Sequence, residues 1–174
     1  MRAELRERFD RLERTRHRLE GRLEGVDSAR LSRPRSGGGW SALQVLHHVV
    51  TAESLSLTYV TKKMQAGAAL PSAAVRSPLR LLVLRAVLAS PLRLRAPAAT
   101  ASVPPQVEWP PLRTRWDETR ASWRELLDGF PPELLGRMVF RHPLVGLLSL
   151  HDCVGFLQAH LDHHARQVDR AVTL

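Results

Sequence analysis

The segment Ser149–Ala171, SLHDCVGFLQAHLDHHARQVDRA, decides how the rest of the chain is read. Advanced by about 100° per residue, Leu150, Val154, Leu157, Leu161 and Val168 fall into one sector, which marks a helix with one face in a core. Ser149 followed by Asp152 predicts a capping box at its start. Three histidines crowd into five positions of this helix. His164 falls inside the apolar sector. His160 lies on its flank, about 40° away and one turn earlier, so the two imidazoles can meet at one point. His163 projects roughly 100° from His164. The period therefore selects the pair His160 and His164 in an HxxxH spacing over His160 and His163.

Other stretches carry the same period. Leu5, Phe9, Leu12, Leu19 and Leu23 predict a first helix over about residues 2 to 24, ended by Gly25 and the linker SRPRSGGG. In WSALQV, Ser41 and Gln44 form a Ser-x-x-Gln capping box, flanked by Trp40 and Val45 at the staple positions. The second helix then runs to about Lys63 or Gln65. A third is expected from about Leu112 to Asp128, with Trp116, Trp123, Leu126 and Leu127 inward, stopped by Gly129 and Pro131–Pro132. Between them, residues 66–112 hold most of the prolines and a short amphipathic piece, Leu79–Ala89, read as a crossover packed on the outside of the bundle. Strand signals are nearly absent. The expectation is an all-α fold, a four-helix bundle forming one domain over residues 1–174, with a long crossover between the second and third main helices.

Composition narrows the class. One cysteine, Cys153, excludes an internal disulfide and a thiolate-rich zinc site; a filler role is expected for it. The longest apolar-leaning run, Leu79–Ala89, is about half of a membrane span and contains Arg80 and Arg85. With no apolar leader at the charged N-terminus, a soluble, cytoplasmic protein is expected. A net charge of +9 raises nucleic acid as a partner. Yet only Lys62 and Lys63 are lysines, and the arginines are spread end to end without aromatic interleaving, so nucleic-acid binding is not expected.

A metal ion needs a third ligand beyond the helical pair. On the second helix His47 shares a face with Thr51, Ser54, Thr58 and Gln65, which reads as solvated. His48 falls among Val45, Ala52, Leu55 and Tyr59, a second buried-looking face. If the second and fourth helices are neighbours, His48, His160 and His164 can converge. Periodicity leaves two readings open, a metal centre or three hydrogen-bonded core histidines, the latter needing a partner for each ring. His17, His142 and His151 are assigned no chemistry, with His142 placed in a loop before Pro143.

At these residues the chain resembles the DinB-like (YfiT-type) superfamily of metal-dependent four-helix bundles. The likeness rests on GWSALQVLHHVVTAE and on HPLVGLLSLHDCVGFLQAHLDHHARQVDR. In that family a Trp-Ser or Trp-Thr opens the second helix, a ligand histidine follows eight residues after the tryptophan, and an HxxxH pair lies in the last helix. Trp40, Ser41, His48, His160 and His164 occupy those positions, and His142, Pro143 and Gly146 match a His-Pro-x-x-Gly lead-in. The Pro- and Arg-rich middle matches only loosely. The resemblance implies a divalent metal ion, zinc or nickel before iron or manganese, held by His48, His160 and His164. It also implies a homodimer and, in some members, transfer of low-molecular-weight thiols such as bacillithiol or mycothiol to electrophiles.

Three neutral imidazoles leave coordination positions open, the pattern of a catalytic site acting on a small-molecule substrate. A dication favours the deprotonated form of a bound water or thiol. Thiolate attack then asks nothing more of the protein, whereas hydrolysis needs a general base. The candidates for that base are Glu53, Asp162 and His163. Glu53 shares the main apolar sector with Leu46, Val49, Val50 and Leu57, so it either pairs with an arginine or lies at the pocket. The rival readings are a helical bundle that binds a metal or small ligand without turnover, and a basic interaction protein.

Overall fold

The computed structural model describes residues 1–35, 39–65, 70–73, 76–89, 100 and 102–173. Four long helices form the frame: α1 (Ala3–Leu23), α3 (Ala42–Met64), α5 (Trp109–Asp128) and α6 (Leu150–Thr173). Helix α6 packs against both α1 and α3, and α3 packs against α5. The second and fourth main helices are thus neighbours, as convergence of the histidines requires. The core is built from the apolar stripes of all four, including Phe9, Leu46, Val49, Trp116, Trp123, Leu157 and Leu161.

Local chemistry sets the helix starts. Ser41 Oγ accepts from Gln44 N–H at 3.2 Å and Gln44 Oε1 accepts from Ser41 N–H at 3.0 Å, completing the box expected from WSALQ. Helix α5 begins three residues before the expected Leu112. Pro110 and Pro111 occupy its first turn, where the missing N–H groups have no helical partner to lose. At α6 only half of the expected box forms. Asp152 N–H donates to Ser149 Oγ at 3.2 Å, but the Ser149 N–H goes to Ser77 Oγ at 2.7 Å, and Asp152 Oδ2 accepts from both serine hydroxyls.

Two short elements depart from the sequence reading. Inside the expected linker, Asp27 caps a one-turn helix, α2 (Ser28–Ser32), by accepting from Ala29 N–H at 3.1 Å. Before α6, a one-turn 3-10 helix (Pro132–Leu134) leads into a hairpin of β1 (Met138–His142) and β2 (Gly146–Ser149). A bulge at Val139 breaks the register, and Gly146 closes the turn at φ +79°. Met138, Val139 and Phe140 are all buried, so the strand lacks the alternation that would reveal it. His142 therefore ends a strand, buried, and is not in a loop.

The crossover contains α4 (Arg76–Ala89), packed against α6 and β2 as an outer layer. The stretch before it is stitched to the entry of the hairpin: Ala73 N–H donates to Gly136 O and Met138 N–H to Pro71 O, each at 2.8 Å. Gly155 in the second turn of α6 permits this seat, since a Cβ there would stand 2.7 Å from Leu81 Cδ2. The outward face of α4 is apolar, with Leu79, Leu82 and Val83 exposed. Residues 66–69, 74–75, 90–99 and 101 of the expected crossover lie outside the described residues. No helix is long and apolar enough to cross a membrane among the described residues.

Candidate metal centre

The capping box fixes where α3 begins, and with it the register that turns His48 toward α6. On α6, the 3.6-residue period brings His160 and His164 to the same face one turn apart. His48 Nε2 lies 3.2 Å from His160 Nε2, and His164 Nε2 lies 3.1 Å from the same atom. One ligand nitrogen from each ring falls within 4.8 Å of the others, and all three side chains are buried. The trio selected from the sequence is brought together.

The outer nitrogens show which face of each ring is free. His48 Nδ1 is 3.0 Å from the carbonyl of Thr100, which can only accept, so Nδ1 carries the proton and Nε2 is bare. His164 Nδ1 is likewise 2.9 Å from Gln167 Oε1. Two lone pairs therefore aim at His160 Nε2, whose hydrogen is the donor left to join the three rings. His160 Nδ1 is buried without a hydrogen-bond partner among the described residues. Ligand nitrogens on an ion bound at about 2.0–2.1 Å sit roughly 3.0–3.4 Å apart. The two close separations match that spacing, and the donor set fits a borderline divalent cation.

Electrostatics points the same way. Burial, reinforced by the neighbouring imidazoles, holds His160 far below the usual histidine range. Burial, aided by His48, pushes His164 down to about 3, and burial also lowers His48. Neutral imidazoles are the form that ligates metal. Around them, the Trp40 ring lies 5.3 Å from His48 and the Phe156 ring 5.3 Å from His160, giving the centre apolar walls.

The other sequence candidates are committed elsewhere. Glu53 is buried and accepts from Arg120 Nη2 at 2.7 Å, Arg120 Nε at 2.8 Å and Trp116 Nε1 at 2.9 Å. Of its two expected situations, pairing with an arginine is the one observed. Asp162 Oδ1 accepts from Gln158 Nε2 at 2.9 Å. His163 contacts the Leu88 carbonyl and Gln167. His47 is half-buried, not solvated as expected, and its Nδ1 has no partner among the described residues. Leu55, expected beside His48, is 44% exposed. Cys153 is fully enclosed, and burial pushes its thiol up, in keeping with filler.

Three further residues adjoin the centre without being marked by the apolar periodicity. His142 packs edge-on to Phe156, ring centres 4.6 Å apart, and burial pushes it down to about 4. Its signal was present in the His-Pro-x-x-Gly segment. Gln167 stands three residues after His164, a helical spacing that could have exposed it. Thr100 contributes through its backbone and had no signal.

Comparisons with known proteins agree with this architecture. A family model described as the DinB superfamily matches residues 11–168. YfiT from Bacillus subtilis, described as "a probable metal-dependent hydrolase with an unusual four-helix bundle topology", superposes with a TM-score of 0.61. It shares 18% identity, over 99% of this chain and 89% of that one. No curated protein matches the chain.

Proposed function

We propose that this chain, which belongs to the DinB superfamily, is a metal-dependent enzyme acting on a small molecule, with His48, His160 and His164 as ligands. The carrying observation is the convergence of three buried Nε2 atoms, two of them 3.1 and 3.2 Å from the third. A divalent cation, zinc or nickel before iron or manganese, would supply Lewis acidity that lowers the pKa of a bound water or thiol. The protein's part is to keep three imidazoles neutral, aim the lone pairs of His48 and His164 at His160 Nε2, and wall the centre with Trp40 and Phe156.

Within that reading, thiol-dependent S-transfer fits the surroundings best. Glu53, Asp162 and His163, the candidate bases for hydrolysis, already hold hydrogen-bond partners. Attack by a thiolate sulfur on an electrophilic carbon needs no such base. The thiol proton passes to solvent, sulfur's electron pair forms the new S–C bond, and the leaving group departs with its own pair. Hydrolysis is the second reading, supported by the description of YfiT. We further propose one cytoplasmic domain over residues 1–174, paired as a homodimer; the exposed Leu79, Leu82 and Val83 of α4 support the pairing.

Elemental analysis of the purified protein is the first test, with about one divalent ion per chain expected. A panel of low-molecular-weight thiols with a generic electrophile, run beside ester and amide substrates, then separates transfer from hydrolysis. Protein that neither retains nor takes up a divalent ion refutes the enzyme reading at its root.

A further inference from the structure

The ring nitrogens of His48 and His164 that face away from the cluster are secured differently. His48 donates straight to a backbone carbonyl. His164 reaches one through two intermediates, Gln167 and His163, ending on Leu88 of the crossover helix α4.

The direction of every hydrogen bond in this chain follows from its far end. The Leu88 carbonyl can only accept, so His163 Nδ1, 2.7 Å away, carries a hydrogen and donates it. At the other side of the ring, His163 Nε2 faces an amide nitrogen, which can only donate, so Nε2 is bare. That atom lies 2.9 Å from Gln167 Nε2 and accepts from it. The amide is thereby turned so that Oε1 faces His164 Nδ1 at 2.9 Å. An amide oxygen cannot donate, so His164 Nδ1 must. His164 Nε2 is left with its lone pair toward His160. Reversing any one of these bonds would set two donors or two acceptors against each other.

We infer that Gln167 and His163 are positioning residues that select the His164 tautomer able to bind a cation, using the α4 backbone as the reference point. The inference rests on the metal reading above for its consequence, but the hydrogen-bond order stands in the metal-free protein. Outer partners of ligand histidines typically carry about 10–100-fold in metal affinity. The crossover helix then has a part in the centre, although none of its side chains is a ligand.

The experiment combines two measurements on the full chain. Long-range proton–nitrogen NMR of the metal-free protein reads the His164 tautomer. Competition with a chromophoric chelator reads the affinity for zinc(II) and nickel(II). In the wild type His164 is expected as the Nδ1–H form. Gln167→Leu should give a mixture of tautomers and a roughly 10–100-fold weaker affinity, and His163→Ala a similar loss. Gln167→Glu keeps an acceptor for His164 Nδ1–H while losing the donor to His163, so it should hold the His164 tautomer and recover affinity relative to Gln167→Leu, an effect that simple packing at this position would not produce. Circular dichroism of each variant confirms the helical fold. An Nε2–H form of His164 in the metal-free wild type overturns the relay, as does undiminished affinity in a folded Gln167→Leu. A wild type that binds neither ion removes the metal reading, while the tautomer spectrum still decides the relay.

Discussion

Arg120 grips Glu53 at two points, Nη2 to Oε1 at 2.7 Å and Nε to Oε2 at 2.8 Å, with both side chains buried between α3 and α5. Arg120 Nη1 also holds Glu13 of α1 at 2.8 Å, so one guanidinium joins three helices. Removing one partner of such a pair leaves a buried charge uncompensated, which costs about 3–5 kcal/mol. Glu53→Ala is expected to lose stability on that scale in urea denaturation, whereas Glu53→Leu combined with Arg120→Leu should lose less. Because Glu53 is committed to this joint, the folded single variant should retain its affinity for zinc(II).

The cluster itself makes a sharper demand. His48→Ala removes the sole α3 contribution to it and should weaken metal binding by more than the roughly 10–100-fold that an outer partner carries. His47→Ala, one position away, should leave the stoichiometry unchanged. Metal content measured after dialysis separates the two, and equal retention in both variants would dissociate His48 from the site.

The acid side of the stability profile follows from the buried histidines. His142 and His164 are pushed down to about 4 and about 3 by burial, against about 6.5 in an unfolded chain. Between those values the unfolded state binds protons that the folded state does not, so stability rises with pH. It is fully present above about pH 6.5 and falls as the pH drops toward 4, by about 1.4 kcal/mol per pH unit for each such histidine. Denaturation of metal-free protein across pH 4–7 should show this slope. His142→Phe should flatten it by one histidine's share.

Gly155 offers a test of how α4 is seated. Replacing glycine by alanine inside a helix ordinarily stabilises by about 0.8–1 kcal/mol. Here the added carbon would meet Leu81 Cδ2 at 2.7 Å, with Arg8 Nη1 and Arg85 Nη2 at 3.3 and 3.4 Å. Gly155→Ala is therefore expected to destabilise by about 1–3 kcal/mol, with protease cutting in the crossover increased as α4 lifts. A stabilised Gly155→Ala protein would mean that α4 packs more loosely than described.

What could be read from the sequence was whatever repeats along one helix. The Ser41–Gln44 box and the sector containing Leu157, Leu161 and His164 depend on neighbours within two turns, and both hold in the structure. The hairpin escaped because Met138, Val139 and Phe140 are covered on both faces, so no alternation marks them. Ser77 replaced the expected partner of Ser149 N–H from 72 positions away, which no local spacing can disclose. Pro110 and Pro111 stand before the expected start at Leu112, yet the first turn of a helix is where proline costs least. Leu55 followed the wheel onto the face of His48, but a wheel specifies direction without saying where the covering neighbour ends.

The carbonyl behind His48 belongs to Thr100, which lies in the connection between α4 and α5 and outside the four long helices. Frame and histidine cluster can therefore drift at different rates. Substitutions in that connection can retune the tilt of one imidazole while the helical scaffold keeps its shape, so a descendant could acquire a new preference without first having to learn a new way to fold.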